Sequence, residues 1–146
     1  MKNERDMMKV ENCIGFNLRR VARIFTQYLD AELRKQGIRS TQTPILQALC
    51  SSDSWTMVGL SEWLGMDRTT LLRNLRPLQR DGLIEISGGG HGKQVQLEIT
   101  AKGQKQVEAF SPAWRAAQDK IIHTLGYKRW ATLLDDLETA AAAFKK

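Results

Sequence analysis

The chain has 146 residues, 42% of them hydrophobic and 26% charged, with 22 basic against 16 acidic side chains and a formal charge of +6. That size holds one domain, or one small domain with helical extensions, and leaves room for dimerisation to add buried surface; the basic balance favours an anionic partner. No apolar run reaches the roughly 18 residues of a membrane span, the charged start MKNERDMMKVEN lacks a signal-peptide core, and Cys13 and Cys50 form neither a CxxC nor a Cys/His cluster. A membrane protein, a disulfide framework and a structural zinc site are therefore disfavoured, and a cytoplasmic location is expected.

The polar first ten residues are expected to fray. From Ile14 the apolar residues Ile14, Leu18, Val21, Phe25, Leu29 and Leu33 recur at steps of three and four, which predicts a long amphipathic helix stopped by Gly37. Ser40 or Thr41 is placed to cap a second helix, with Pro44 in its first turn and Ile45, Leu46, Ala48 and Leu49 on its buried side; Cys50, at the end of that face, reads as core. SSDSW follows as a polar loop. Thr56 caps a short helix to about Leu64, Gly65 supplies a left-handed turn, and Asp67 caps the next helix, about 68–81. Gly82 ends it. LIEIS and KQVQLEI then alternate as two strands around the tip GGGHGK, with Val95, Leu97 and Ile99 on one face. Thr100 caps a fifth helix running through Pro112, with a bend there, to Leu125; Gly126 breaks it, and a last helix over about 127–144 carries Trp130, Leu133, Leu134, Leu137 and Ala141.

The run from Leu60 to Thr100 carries the functional signal. A short helix, a glycine turn, an Arg-rich amphipathic helix and a glycine-tipped hairpin follow one another as in a winged helix-turn-helix, which presents one helix to a DNA groove and one hairpin to the flanking backbone. Leu71, Leu72, Leu75 and Leu78 share the core side of the 68–81 helix, braced by Leu60, Trp63, Leu64 and Met66 of the preceding one. Thr69 and Thr70 stand at its N-terminal end, where backbone N–H groups also meet phosphate, and Arg73 one turn on is the candidate for bidentate contact with guanine O6 and N7. Arg68, Arg76 and Arg80 read as phosphate contacts; Asn74 lies to the side; His91 and Lys93 sit at the hairpin tip, near a minor groove or its phosphates. Pro77 removes one backbone donor and frees the Arg73 carbonyl.

GGGHGKQ does not make a phosphate-binding loop of the GxxxxGK[ST] type, because Ser87 and Gln94 occupy the positions of its first glycine and its hydroxyl, and because it joins two strands instead of opening a helix. His91 and His123 make a poor metal pair, and no paired carboxylates or nucleophile–base set stands out, so neither a cofactor nor an enzyme is expected.

The string LSEWLGMDRTTLLRNLRPLQRDGLI, followed by a hairpin and LEITAKG, resembles the MarR (multiple-antibiotic-resistance regulator) family, and the likeness extends over nearly the whole chain, the long first helix with LRRVAR included. The resemblance implies a mostly helical fold with a small β-hairpin wing. Residues 37–100 would form the winged helix-turn-helix lobe, and residues 1–36 and 101–146 the dimerisation helices. It implies a homodimeric regulator, usually a repressor, that binds a pseudo-palindromic duplex operator through Arg68, Thr69, Thr70, Arg73 and Arg76 and is released by a small molecule or an oxidant. The family's wing contact is an Asp-x-Arg; here the tip reads His91-Gly92-Lys93, so the Asp is missing and Lys replaces the planar fork of Arg.

Two release mechanisms are open. A small aromatic or amphipathic effector would enter between the dimer region and the lobe, with Phe16, Trp55, Trp63 and Trp114 as candidate wall residues, although aromatics at helical spacing are more often core. Alternatively Cys13 senses oxidants, lying near a helix start where the dipole and Arg19 or Arg20 favour thiolate. The hydroperoxide-sensing branch of the family carries its cysteine where Gly15 stands here, immediately before a phenylalanine, so Cys13 is displaced by two residues. A non-catalytic winged helix that binds protein through its basic face is the alternative of a different class.

Overall fold

In the computed structural model, which describes residues 4–144 apart from 53, the chain is mostly helical with one small sheet. Residues 1–3 of the polar start, residue 53 of the expected SSDSW loop and residues 145–146 lie outside the described residues. A short helix α1 (Glu4–Met7) and a 3-10 turn (Val10–Asn12) precede the long α2 (Ile14–Leu33), which ends in a second 3-10 turn (Arg34–Gln36) closed by Gly37 at φ 65°.

After Gly37 the chain doubles back into α3 (Thr43–Ser51). Its expected cap at Ser40 or Thr41 is displaced: Gln42 is the N-cap and offers no side-chain cap, because its Oε1 accepts instead from the Arg39 N–H at 3.1 Å. The Ser40 N–H is drawn to Asp30 Oδ1 of α2 at 2.7 Å, which ties the turn to the long helix. Ile45, Leu46, Ala48 and Leu49 are buried as their spacing predicts, but Cys50 is exposed, a correction to its reading as core. It follows Leu49 by about 100° on the helix, enough to turn it away from the core.

The loop before the next helix is not all loop. Trp55–Thr56 form a two-residue strand β1, followed without a break by α4 (Met57–Leu64) and then α5 (Arg68–Arg80). The hairpin is β2 (Ile84–Ser87) and β3 (Gln96–Ile99), the second strand starting later than KQVQLEI predicts. All pairings are antiparallel in the order β1-β3-β2, with Trp55 opposite Leu97 and Ile84 opposite Ile99. The small strand β1 thus covers part of an edge of β3 that would otherwise leave its backbone groups unpaired.

The core gathers Leu33 and Ile38 with Ile45, Leu46 and Leu49 of α3, Met57 and Leu60 of α4, Leu71, Leu75 and Leu78 of α5, Leu83, Ile84 and Leu97 of the hairpin, and Phe110. Phe110 belongs to α6 (Ala101–Leu125), which Thr100 caps by accepting the Gly103 N–H at 3.0 Å and which continues as one helix through Pro112. Each fully buried leucine or isoleucine contributes about 2 kcal/mol by leaving water, so this cluster holds the middle of the chain together. Gly126 then turns the chain into α7 (Tyr127–Phe144), none of whose residues is buried. No helix is long and apolar enough to cross a membrane among the described residues.

Candidate nucleic-acid interface

The α4–turn–α5 unit is assembled from local hydrogen bonds. Thr56 Oγ1 accepts the Gly59 N–H at 2.9 Å and starts α4; Gly65, at φ 63°, closes it. Asp67 Oδ1 accepts the Thr70 N–H at 2.8 Å, and Asp67 Oδ2 accepts the Thr70 hydroxyl proton at 2.7 Å. These two bonds, the backbone one foremost, hold the Asp67 carboxyl below its ordinary value of 3.8. Leu60 is fully buried and Leu64 and Met66 pack against the core, as a brace should. Trp63 does not share that role: it is 57% exposed and lies against Trp55, ring centroids 5.7 Å apart, on the outer side of α4.

Along α5 the two faces separate cleanly. Leu71, Leu75 and Leu78 are fully buried, Leu72 is half-buried, and Arg68, Thr69, Arg73, Arg76 and Arg80 are exposed. Asn74 is turned back on its own helix, donating through Nδ2 to the Thr70 carbonyl at 2.9 Å. Arg80 pairs through Nε with Asp81 at 3.1 Å; both are exposed, and such a pair adds little stability. Pro77 interrupts neither the helix nor its buried face: α5 continues to Arg80, and the Pro77 carbonyl accepts the Asp81 N–H at 2.9 Å.

The hairpin register sets Ile84, Ile86, Leu97 and Ile99 toward the core and places Glu85 opposite Glu98 on the outer face, where like charges repel. The tip winds through left-handed backbone at Gly88, Gly89, His91 and Gly92, and Lys93 N–H closes a turn on the Gly90 carbonyl at 3.1 Å. Gly88 is required there, since a Cβ would collide with the Gln94 carbonyl oxygen. His91, at φ 49°, is the non-glycine residue that accepts this conformation among the described residues.

A cleft of about 300 Å³ runs between the wing and the starts of α4 and α5, lined by Val58, Arg68, Gly92, Lys93 and Gln94 among others. Arg68 and Lys93 therefore share one concavity, next to the exposed row Thr69, Arg73, Arg76, while His91 does not line it. Sequence reasoning missed Val58 and Gln94. The signal for Val58 was present, since it is an apolar residue off the buried face of a short amphipathic helix.

Of the candidate effector residues, Trp55 and Trp63 meet, but the four do not gather in the apolar cleft between α2 and α6. Trp55 Nε1 donates to the Ala48 carbonyl at 2.9 Å, Trp114 packs against the core, and Phe16 is half-buried on α2. None of Phe16, Trp55, Trp63 and Trp114 lines the apolar cleft of about 200 Å³ between α2 and α6, which is formed by Ile24, Phe25, Tyr28, Lys120, Ile121, Thr124 and Leu125. There Lys120 Nζ stands 5.4 Å from the centre of the Tyr28 ring, and the Tyr28 hydroxyl is buried without a hydrogen-bond partner. Cys13 is exposed at the N-cap of α2, and no group of three metal-ligating side chains occurs among the described residues.

The chain matches no family model and no curated protein. Among solved structures it is similar to the M. tuberculosis transcriptional regulator MosR, with 33% identity, a TM-score of 0.79, and coverage of 92% of this chain and 99% of that one. The same regulator in complex with DNA aligns with a TM-score of 0.80 at 33% identity, over the same 92% and 99%. A MarR-family transcriptional regulator from Silicibacter pomeroyi shares the fold at 20% identity, with a TM-score of 0.71 and 97% of each chain covered.

Proposed function

The chain belongs to the MarR family of winged-helix transcription regulators, and we propose that within it the protein acts as a homodimeric repressor, gripping a pseudo-palindromic duplex and releasing it when a small amphipathic effector binds. The observation that carries the DNA reading is the exposed face of α5. Thr69, Arg73 and Arg76 project from a helix whose opposite side is locked into the core, and Arg68 and Lys93 extend the basic surface into the wing cleft. A helix held so rigidly presents donors to the major groove at little ordering cost, while Lys93 neutralises backbone phosphate without reading sequence.

The dimer is supported by apolar residues that the single chain leaves open: Ile14, Leu18 and Val21 on α2, with Leu133, Leu134 and Leu137 on α7. The effector reading is supported by the α2–α6 cleft, whose apolar walls, unpartnered Tyr28 hydroxyl and Lys120 ammonium suit an apolar ligand carrying one polar or anionic group. A cytoplasmic location goes with this reading, since the duplex it would bind lies there.

The deciding experiment is duplex binding across salt concentration. Affinity falls steeply with salt for a DNA regulator, Arg73→Ala costs about 1–3 kcal/mol on the cognate site and relaxes one base position, and Lys93→Ala weakens all duplexes alike and lowers the salt slope by about one. Unaltered operator affinity in Arg73→Ala overturns the groove assignment. A second reading of the release step rests on Cys13, a free and exposed thiol at the N-cap of a 20-residue helix, open to an oxidant from solvent. Peroxide release that persists in Cys13→Ser removes it.

A further inference from the structure

Capping α5 needs one oxygen of Asp67, and the Thr70 N–H takes Oδ1. The second oxygen, Oδ2, takes the Thr70 hydroxyl proton. The direction of that bond is fixed by chemistry. A carboxylate held in its charged form has no proton to give, so Thr70 is the donor and its hydroxyl oxygen keeps only lone pairs for any other partner. The Thr70 carbonyl is occupied as well, by Asn74 Nδ2 at 2.9 Å. What the first turn of α5 offers on this flank is therefore a hydroxyl that accepts and cannot donate, half-exposed, beside an exposed carboxylate and one turn before the donor-only guanidinium of Arg73.

We propose that the Asp67–Thr70 pair is a specificity determinant: Thr70 meets the major groove as a hydrogen-bond acceptor and selects a base bearing an exocyclic amino group, adenine or cytosine, against guanine and thymine. The inference rests on the reading of α5 as the groove-facing helix and names what one of its residues reads. In the major groove adenine N6 and cytosine N4 are donors, whereas guanine O6 and N7 and thymine O4 are acceptors. An acceptor-only hydroxyl backed by a carboxylate pairs with the first set and is repelled by the second. Arg73 has the opposite polarity, so the two side chains divide a half-site between them by hydrogen-bond sign.

The test is selection from a randomised duplex pool at one salt concentration, with sequencing of the bound fraction, for the wild type, Thr70→Val, Thr70→Ser, Asp67→Asn and Arg73→Ala. The wild type enriches A or C at one position of each half-site. Thr70→Val, which keeps the shape and loses the hydroxyl, flattens that position by roughly tenfold, the order of one mismatched base pair, and leaves the others alone. Thr70→Ser retains the preference. Asp67→Asn still caps through Oδ1 but offers its amide protons to the Thr70 oxygen, which frees the hydroxyl proton and moves that position toward G or T. A wild-type profile in both Thr70→Val and Asp67→Asn overturns the proposal. If Arg73→Ala alters the motif while those two do not, only this inference fails. If the wild type enriches no motif, the groove reading fails and takes this one with it. Should Thr70→Val not fold by circular dichroism, Asp67→Asn decides.

Discussion

Between Ile38 and Phe110 the chain closes a core of its own, with Leu60, Leu71, Leu75, Leu78 and Leu97 out of solvent. In α2 and α7 side chains of the same character stand open: Ile14 is 73% exposed, Leu18 and Val21 each more than two-fifths, and α7 buries nothing. Both regions are equally regular helix, so regularity does not separate them. What separates them is the number of elements converging on each apolar stripe. Five helices and a sheet meet on the lobe, while α7 meets only the end of α6 in any number. Burial energy follows the second region only when another surface arrives, which is the physical sense in which the lobe is complete and the arm is not.

The largest test of that contrast is Phe110→Ala. Phe110 is fully buried, and deleting its ring should cost about 4 kcal/mol in urea unfolding. A cost near zero would mean that α6 does not anchor the lobe. Next comes Gly103→Ala. A Cβ there would overlap the Leu83 carbonyl oxygen and stand 2.6 Å from Ile99 Cγ1, so about 3 kcal/mol of stability should be lost despite alanine's better helix propensity. Leu137→Glu works on the open region: sedimentation should show the proposed dimer weakened by about 2 kcal/mol, while circular dichroism of the diluted chain stays that of the wild type. Loss of the fold instead would place Leu137 in the monomer's own core.

The smallest effect is Asp67→Ala, a slight fall in the thermal midpoint from loss of the α5 cap. Its pH dependence has a fixed sign. The folded carboxyl titrates below 3.8, so the stabilisation is complete above that value and fades as pH falls through the lower folded one. A difference between wild type and Asp67→Ala that persists well below both values would exclude this cause.

Elements governed by contacts three or four residues apart were readable in advance. Thr56, Asp67 and Thr100 each cap a helix three residues ahead, and Gly37, Gly65 and Gly126 each take the left-handed or extended backbone that ends one. The misreadings needed knowledge of distant chain. Trp55 and Thr56 become a strand because β3, some forty residues on, offers an edge. Ser40 is held in the turn before α3, where Asp30, ten residues earlier, accepts its N–H, and the helix starts two residues later behind Gln42, without a side-chain cap. The sequence groups Trp63 with the brace, yet it is exposed and its ring lies against Trp55. In the candidate site the arginine face of α5 was readable from periodicity, whereas the juxtaposition of Arg68 with Lys93 depends on how the wing folds back, and no local pattern encodes that.

The elbow where α5 gives way to the wing and α6 returns past it is sewn shut. The Lys102 ammonium holds the Asp81 carbonyl at 2.7 Å, the Thr100 hydroxyl holds that of Gly82 at 2.6 Å, and the Thr100 N–H holds that of Leu83 at 3.1 Å. With Gly103 pressed against the same strand, this point behaves as a fulcrum without slack. The 25 residues of α6 make a lever about 37 Å long. A sideways shift of roughly 4 Å at its far end is a rotation of about 6°, which would carry the far end of the 20 Å α5 by about 2 Å, most of a hydrogen bond's length. The two helices turn through the same angle, but the shorter α5 moves its end only about half as far as α6 does; for the proposed groove contact of α5, that is enough to break a hydrogen bond.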